Sequence, residues 1–318
     1  MLGNLRGKIT YANVMATLAV FAAIGGGAFA IGAVRGGQGK VVACYPKNGK
    51  RERSLRILVN GSHCKKGEKQ VTWDKSPQTG TGGGTGTPAC KGNDANDIMV
   101  KVGPFCMDRY EDSVWSKPHG GTQYGLTPGD YPCNPNGNNC KGKIYARSVP
   151  GVKPSAYITW LQAQQALANS GKRLPTNAEW QMAAAGTPDP TSRVVGGVQC
   201  NSFGPTVVPT GSRTKCISRW HVNDMVGNLN EWVDQWVPPS QFPQDCYDWG
   251  SFSDDTLCLK GGRPAAYGAD AQGNGVRGPG VLLRGGGFVD GTSAGVFAVA
   301  GTQPPNAVAS HFGFRGVR

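Results

Sequence analysis

HVNDMVGNLNEWVDQW, His221 to Trp236, sets a polar turn with two carboxylates directly before a cluster of tryptophans. Asp224 and Glu231 flank Gly227 and Asn228, so a turn there can aim both carboxylates and the intervening carbonyls at one hard cation. Calcium fits that donor set, because it takes about six to eight oxygen ligands and tolerates irregular loops. Asp224, Gly227, Leu229 and Glu231 are therefore read as a structural calcium set. A competing reading needs no metal: Asn228 caps a short turn, and Trp232 and Trp236 pack behind it.

Working outward, Thr159 to Asn169 places Trp160, Ala163 and Leu167 on one helical face, with Gly171 as a stop signal. In SGKRLPTNAEWQMAAAG, Ser170 to Gly186, Thr176-Asn-Ala-Glu179 is a capping box and Gly186 closes a second helix. Trp160 and Trp180 read as packing residues of these helices. Upstream, IMVKVGPFCMDRYEDSVW alternates like a strand entering the core. Lys117 to Lys143, rich in Gly, Pro and Asn, reads as a long surface loop. The carboxylate pairs Glu111-Asp112 and Asp254-Asp255 read as surface or turn residues.

DMVGNLNEWVDQW resembles the central motif of the formylglycine-generating enzyme (sulfatase-modifying factor) family. Three further stretches resemble it in the family's order: FCMDRYEDSVW around Cys106, SGKRLPTNAEWQMAAAG, and LLRGGGF followed by HFGFRGVR. The resemblance implies an α+β, loop-rich, C-type lectin-like domain, with two helices packed on small antiparallel sheets. The family often carries a second calcium near the residue that Asn201 resembles, but its other ligands do not align, so that site stays open.

The resemblance also marks a departure. Catalytic members bind copper through two cysteines after the RGG motif, and here RGGGFVDGTSAGVFAVAG places Asp290 and Gly295 at those positions. A soft copper site needs thiolates, so no copper is expected. Relatives that use non-haem iron need a histidine cluster, and His63, His119, His221 and His311 show no metal-ligand spacing, so no iron is expected either. No GxSxG element is present, and LRGGGF lacks the GxGxxG spacing of a dinucleotide loop.

Arg284 to Arg318 alternates between stretches with a structural look (RGG, AGVF, PP, GFR) and short runs of unrelated small or polar residues. This pattern resembles the C-terminal variable region of ligand-binding proteins diversified by retroelements. The resemblance implies that fixed residues hold the scaffold while Phe288, Asp290, Thr292, Ser293, Ala309 and His311 form a binding surface. Phe288 has an alternative place in the core, and Arg284 and Arg315 read as makers of buried hydrogen bonds.

Composition supports a packed but loop-rich chain, with 49 Gly and 22 Pro beside eight tryptophans in 318 residues. The net charge of +13 is concentrated in residues 1–80, which carry 13 Lys/Arg against 3 Asp/Glu. Ten cysteines without a CxxC spacing predict disulfides and an oxidising compartment. Proximity suggests Cys44–Cys64, Cys90–Cys106, Cys133–Cys140, Cys200–Cys216 and Cys246–Cys258.

Residues 1–34 read as a signal peptide or membrane anchor. Residues 35–75 read as a small basic β module resembling one near the N-terminus of actinobacterial-type surface proteins. A Gly/Thr-rich linker (76–89) precedes the main domain (90–318). The expectation is a secreted or cell-surface protein that binds an unknown surface ligand, protein or glycan, without catalysis. Membrane or cell-wall association would run through residues 1–75, and no specific nucleic acid is expected. The rivals are a formylglycine-generating-type oxidoreductase with an altered metal site at Asp290 or His311, and a structural envelope module.

Overall fold

The computed structural model describes residues 40–46, 56–57, 63–74, 90–190, 199–240, 244–263 and 277–318. They fall in two compact units, Met1–Thr87 and Pro88–Arg318. The segment 1–34 and the linker 76–89 lie outside the described residues. In the first unit, β1 (Lys40–Pro46) pairs antiparallel with β2 (Arg56–Ile57) and, along its whole length, with β3 (Glu68–Asp74). Cys44, buried on β1, is bonded to Cys64.

The second unit opens with the hairpin β4 (Met99–Val102) and β5 (Phe105–Asp108). Next, β6 (Ser113–Lys117) is flanked by β7 (Gly120–Tyr124) and β8 (Tyr145–Arg147). The stretch from Lys117 to Lys143 is thus not all loop, since β7 folds back on β6 within it. Its sequence, GGTQY, carries no apolar alternation that would announce a strand.

The two helices lie close to where the sequence puts them. Helix α1 (Trp160–Asn169) is capped by Thr159, and α2 (Asn177–Ala184) by Thr176, each with a complete capping box, Gln162 and Glu179 being the reciprocal partners. A five-stranded sheet runs between them, built from β9 (Asn230–Val237), β10 (Leu257–Cys258), β11 (Gly280–Arg284), β12 (Val299–Gln303) and β13 (Phe312–Phe314). Its order is β10-β12-β11-β9-β13. The central strands are antiparallel, whereas β10 and β13 join the edges in parallel, so this largest sheet is mixed.

Alternation along the central strands buries both faces of that sheet. Trp232 and Leu283 face one core with Trp160, Leu167 and Phe314, while the adjacent Val233 and Leu282 face a second core with Met107, Trp180 and Val222. Each helix therefore serves a different core. The buried indoles are also hydrogen-bonded: Trp160 Nε1 donates to the Val233 carbonyl and Trp232 Nε1 to that of Ile158, both at 3.0 Å. All five disulfides join the cysteine pairs that proximity suggests.

Candidate functional site

The turn before β9 is held in an unusual backbone state. His221, Asp224 and Asn228 have φ of 63°, 59° and 61°, the left-handed region that costs a non-glycine residue about 1–3 kcal/mol. Asn228 shows what offsets that cost. Its side-chain oxygen accepts from Asn201 Nδ2 and from the Val208 N–H, its amide nitrogen donates to Glu111, and its backbone joins Asn201 and Phe288. One asparagine thus ties the turn to three separate segments.

The residues read as a calcium set have protein partners here. The Glu231 carboxylate is gripped by the Arg315 guanidinium through contacts of 2.5–2.9 Å and also accepts from Trp180 Nε1 at 2.7 Å. Asp224 accepts from the Gly211 N–H, and the Leu229 N–H donates to Glu111 at 2.8 Å. Gly227 uses its N–H on the Gly285 carbonyl. The positive charge facing Glu231 is therefore an arginine from the far end of the domain. The spacing within the turn gives no hint of it.

Glu111 and Asp112 are fully buried, not surface or turn carboxylates. Burial, with Asp224 and Glu231 nearby, holds the Glu111 carboxyl well above the usual glutamate range, and burial likewise pushes Asp224 up to about 6. Over pH values above the ordinary 4.5, the folded chain thus keeps a proton on Glu111 that the unfolded chain has lost. This contribution to stability must fall as pH rises through that window. Urea unfolding of Glu111→Gln between pH 5 and 8 should show a shallower decline than the parent. Identical slopes would mean that Glu111 titrates normally in the fold.

A second buried charge cluster lies nearby. Lys172 Nζ contacts Asp97 and Asp108 at 2.7 and 2.8 Å, with all three side chains inaccessible. Asp112 lies beside them, its carboxyl raised well above the usual aspartate range by burial and by Asp108. Burial alone would lower the Lys172 ammonium, but the surrounding aspartates outweigh it and raise its pKa.

The C-terminal segment is hung on this framework. Gly285 has φ +84°, and a Cβ there would lie 2.7 Å from the Met225 carbonyl, so the RGG motif is set by backbone packing. Arg284 stacks on Trp180 and donates to the carbonyls of Val296 and Ala298, as its reading as a buried hydrogen-bonding residue implies. Beyond it, Asp290 Oδ2 accepts from Asn230 Nδ2 at 2.9 Å and from the Gly287 N–H at 2.8 Å. His311 packs edge-on against Phe312, and its carbonyl accepts the Asn230 N–H. Burial depresses the His311 imidazole, with Asp290 partly opposing.

Asp290 and His311 line one cavity of about 180 Å³ together with Asn230, Arg263, Thr302 and Gln303. Of the other expected surface residues, Thr292, Ser293 and Ala309 are half-buried and are not part of its lining. Phe288 is only 6% exposed and belongs to the interior, where its N–H is committed to the Asn228 carbonyl. Sequence reading missed three exposed apolar side chains of this segment, Val289 (55%), Phe297 (36%) and Val308. The alternation that marks strands carries no signal in such irregular loops.

Residues 99–318 match the domain family described as sulfatase-modifying factor enzyme 1-like. The chain belongs to that family. Its α+β, lectin-like architecture of two helices and small sheets is the one the sequence motifs imply. Among curated proteins, this sulfatase-modifying-factor-like chain is 28% identical over 140 residues to the serine/threonine-protein kinase Pkn1 of Chlamydia trachomatis, covering 37% of the chain. It is 30% identical over 99 residues to that of Chlamydia caviae, covering 30% of the chain. It spans only 22% and 16% of those relatives' lengths. Similar solved structures include the Major Tropism Determinant P3c variant, at 20% identity and TM-score 0.42 over 88% of this chain and 71% of that one. Treponema denticola variable protein 1 is similar at 14% identity and TM-score 0.32, over 69% and 98%.

Proposed function

We propose that the protein is a non-catalytic ligand-binding protein whose binding face is the C-terminal segment 284–318, centred on Asp290 and His311. The observation that carries this reading is the shared cavity. Two half-exposed, chemically versatile side chains meet there, with Asp290 anchored to Asn230 and Gly287 and His311 leading into the buried β13. Thr292, Ser293 and Ala309 would extend the face around the cavity.

The thiol chemistry of catalytic relatives has no donors in this arrangement, since every one of the ten cysteines is in a disulfide. Asp290, at one of the two former cysteine positions, spends an oxygen on Asn230 and Gly287. Disulfides in such number suit an extracellular or cell-surface setting. The ligand would then be a surface protein or glycan.

The resemblance of 284–318 to retroelement-diversified regions supports a finer reading, in which the face varies while the scaffold stays fixed. Sequencing the last 40 or so codons across the source population tests it. Changes should concentrate at Asp290, Thr292, Ser293, Ala309 and His311, and spare Arg284, Gly285 and Arg315. Uniform invariance would leave a binder of fixed specificity. For binding itself, Asp290→Ala/His311→Ala should fold normally and lose about tenfold or more in affinity for any glycan or surface protein that the parent binds on an array. Equal binding by the two would place the site elsewhere.

A further inference from the structure

Asp189, Asp254 and Asp255 each bring a carboxylate oxygen within 4.8 Å of the other two. They come from two separated parts of the chain: Asp189 follows α2, and Asp254-Asp255 lie in the loop closed by the Cys246–Cys258 disulfide. Among the described residues, no lysine or arginine forms an ion pair with any of them. The cation acting on Asp255, Arg284, directs Nη1 and Nη2 at the carbonyls of Val296 and Ala298 and at Gln181.

Asp255 supplies an independent indication. It is only 3% exposed; one oxygen, Oδ2, accepts from the Phe297 N–H at 2.7 Å, while Oδ1 is inaccessible and, among the described residues, has no hydrogen-bond partner. A buried carboxylate oxygen left without a partner is costly, so such an atom calls for a ligand. The chain has also made room for it. A Cβ on Gly295 would lie 2.0 Å from that oxygen, so only glycine admits the carboxylate. Gly295 is one of the two positions at which catalytic relatives carry a cysteine.

We propose that Asp189, Asp254 and Asp255 form a site for a hard divalent cation, with calcium the preferred ion. Oxygens sharing a calcium at about 2.3–2.6 Å can stand at most roughly 5 Å apart, and these satisfy that limit. Asp189 and Asp254 are exposed, which leaves water to complete an irregular shell. Magnesium demands a stricter octahedron and gives up its own water reluctantly, so it fits less well. The loop is already tied to the C-terminal segment, through Thr256 to the Ser293 carbonyl and Val299 to the Thr256 carbonyl. A cation there would lock the two stretches of chain that carry these aspartates behind residues 291–299.

Calorimetric titration of chelator-stripped full-length protein with calcium chloride tests the site. One calcium should bind per chain and raise the melting temperature, with magnesium weaker. Asp189→Asn/Asp254→Asn, altered only at exposed positions, should lose roughly tenfold or more in calcium affinity. Should that double variant fail to fold, Asp254→Asn alone must still weaken binding. The proposal is overturned if the parent shows neither heat nor thermal shift with calcium, magnesium or manganese. It is equally overturned if the variant binds calcium as the parent does, because the ion then sits elsewhere.

Discussion

Arg315→Leu should lose about 3–5 kcal/mol of stability, enough to leave a marginal domain unfolded at neutral pH. The guanidinium is fully buried, holds Glu231 at 2.5–2.9 Å, and also donates to the carbonyls of Asp108 and Asn223. Without it, Glu231 and Glu111 lose their facing base, and Asp224 keeps only the weaker pull of Arg213. Arg315→Lys should recover little, since one ammonium cannot reproduce a fork that spans a carboxylate and several carbonyls. Urea denaturation followed by tryptophan fluorescence would measure the loss. A drop below about 1 kcal/mol would mean that the acids are neutralised by protonation and that the arginine is dispensable. Replacing Glu231 and Arg315 together by apolar residues should cost less than the sum of the single changes.

Lys172→Met is the second large effect, again about 3–5 kcal/mol, and it comes with its own signature in pH. The ammonium sits between Asp97 and Asp108, with Asp112 close by. Removing it leaves Asp108 and Asp112, whose carboxyls are already raised by burial, and they will rise further. A raised acid costs stability as pH climbs above its unfolded value, so acidification restores stability to this variant. Unfolding curves at pH 4.5 and 7 should therefore show Lys172→Met gaining on the parent at the lower pH. A deficit that is constant with pH would assign the loss to packing by the lysine's aliphatic stem rather than to charge.

Much of the scaffold was legible because its signals are local. The box Thr176 to Glu179 names its own partner, and all five disulfides close loops of 20 residues or fewer. The turn at Asp224 to Glu231 was legible as a place where carboxylates converge. The group that answers Glu231 was not, because Arg315 lies 84 positions downstream. Glu111 and Asp112 looked like surface residues for the same reason: what justifies their burial, Asn228 and Lys172, is remote in sequence. Asp290 and His311 were placed on one face by the resemblance of the C-terminal stretch, and the cavity joins them. Phe288 went to the interior because the turn residue Asn228 claims its backbone, a contact with no counterpart in the pattern around it.

The parallel seating of β13 beside β9 has a consequence for the protein's synthesis. Arg315 and Gly316 complete clusters begun by Asp108 and Glu111, and contacts of Arg315 and Gly316 with residue 108 span 207 and 208 positions. Val317 and Arg318 then clasp Arg173 and Cys106 through backbone pairs. While the ribosome is still making the middle of the domain, the early acids have no base, and closing so long a loop is slow. The helices and disulfide loops can form as they emerge, but the domain must wait as an unsealed intermediate until its last strand arrives. Residues 312–318 thus act as a latch, and the same short stretch that borders the proposed binding face decides whether a newly made copy becomes a folded protein at all.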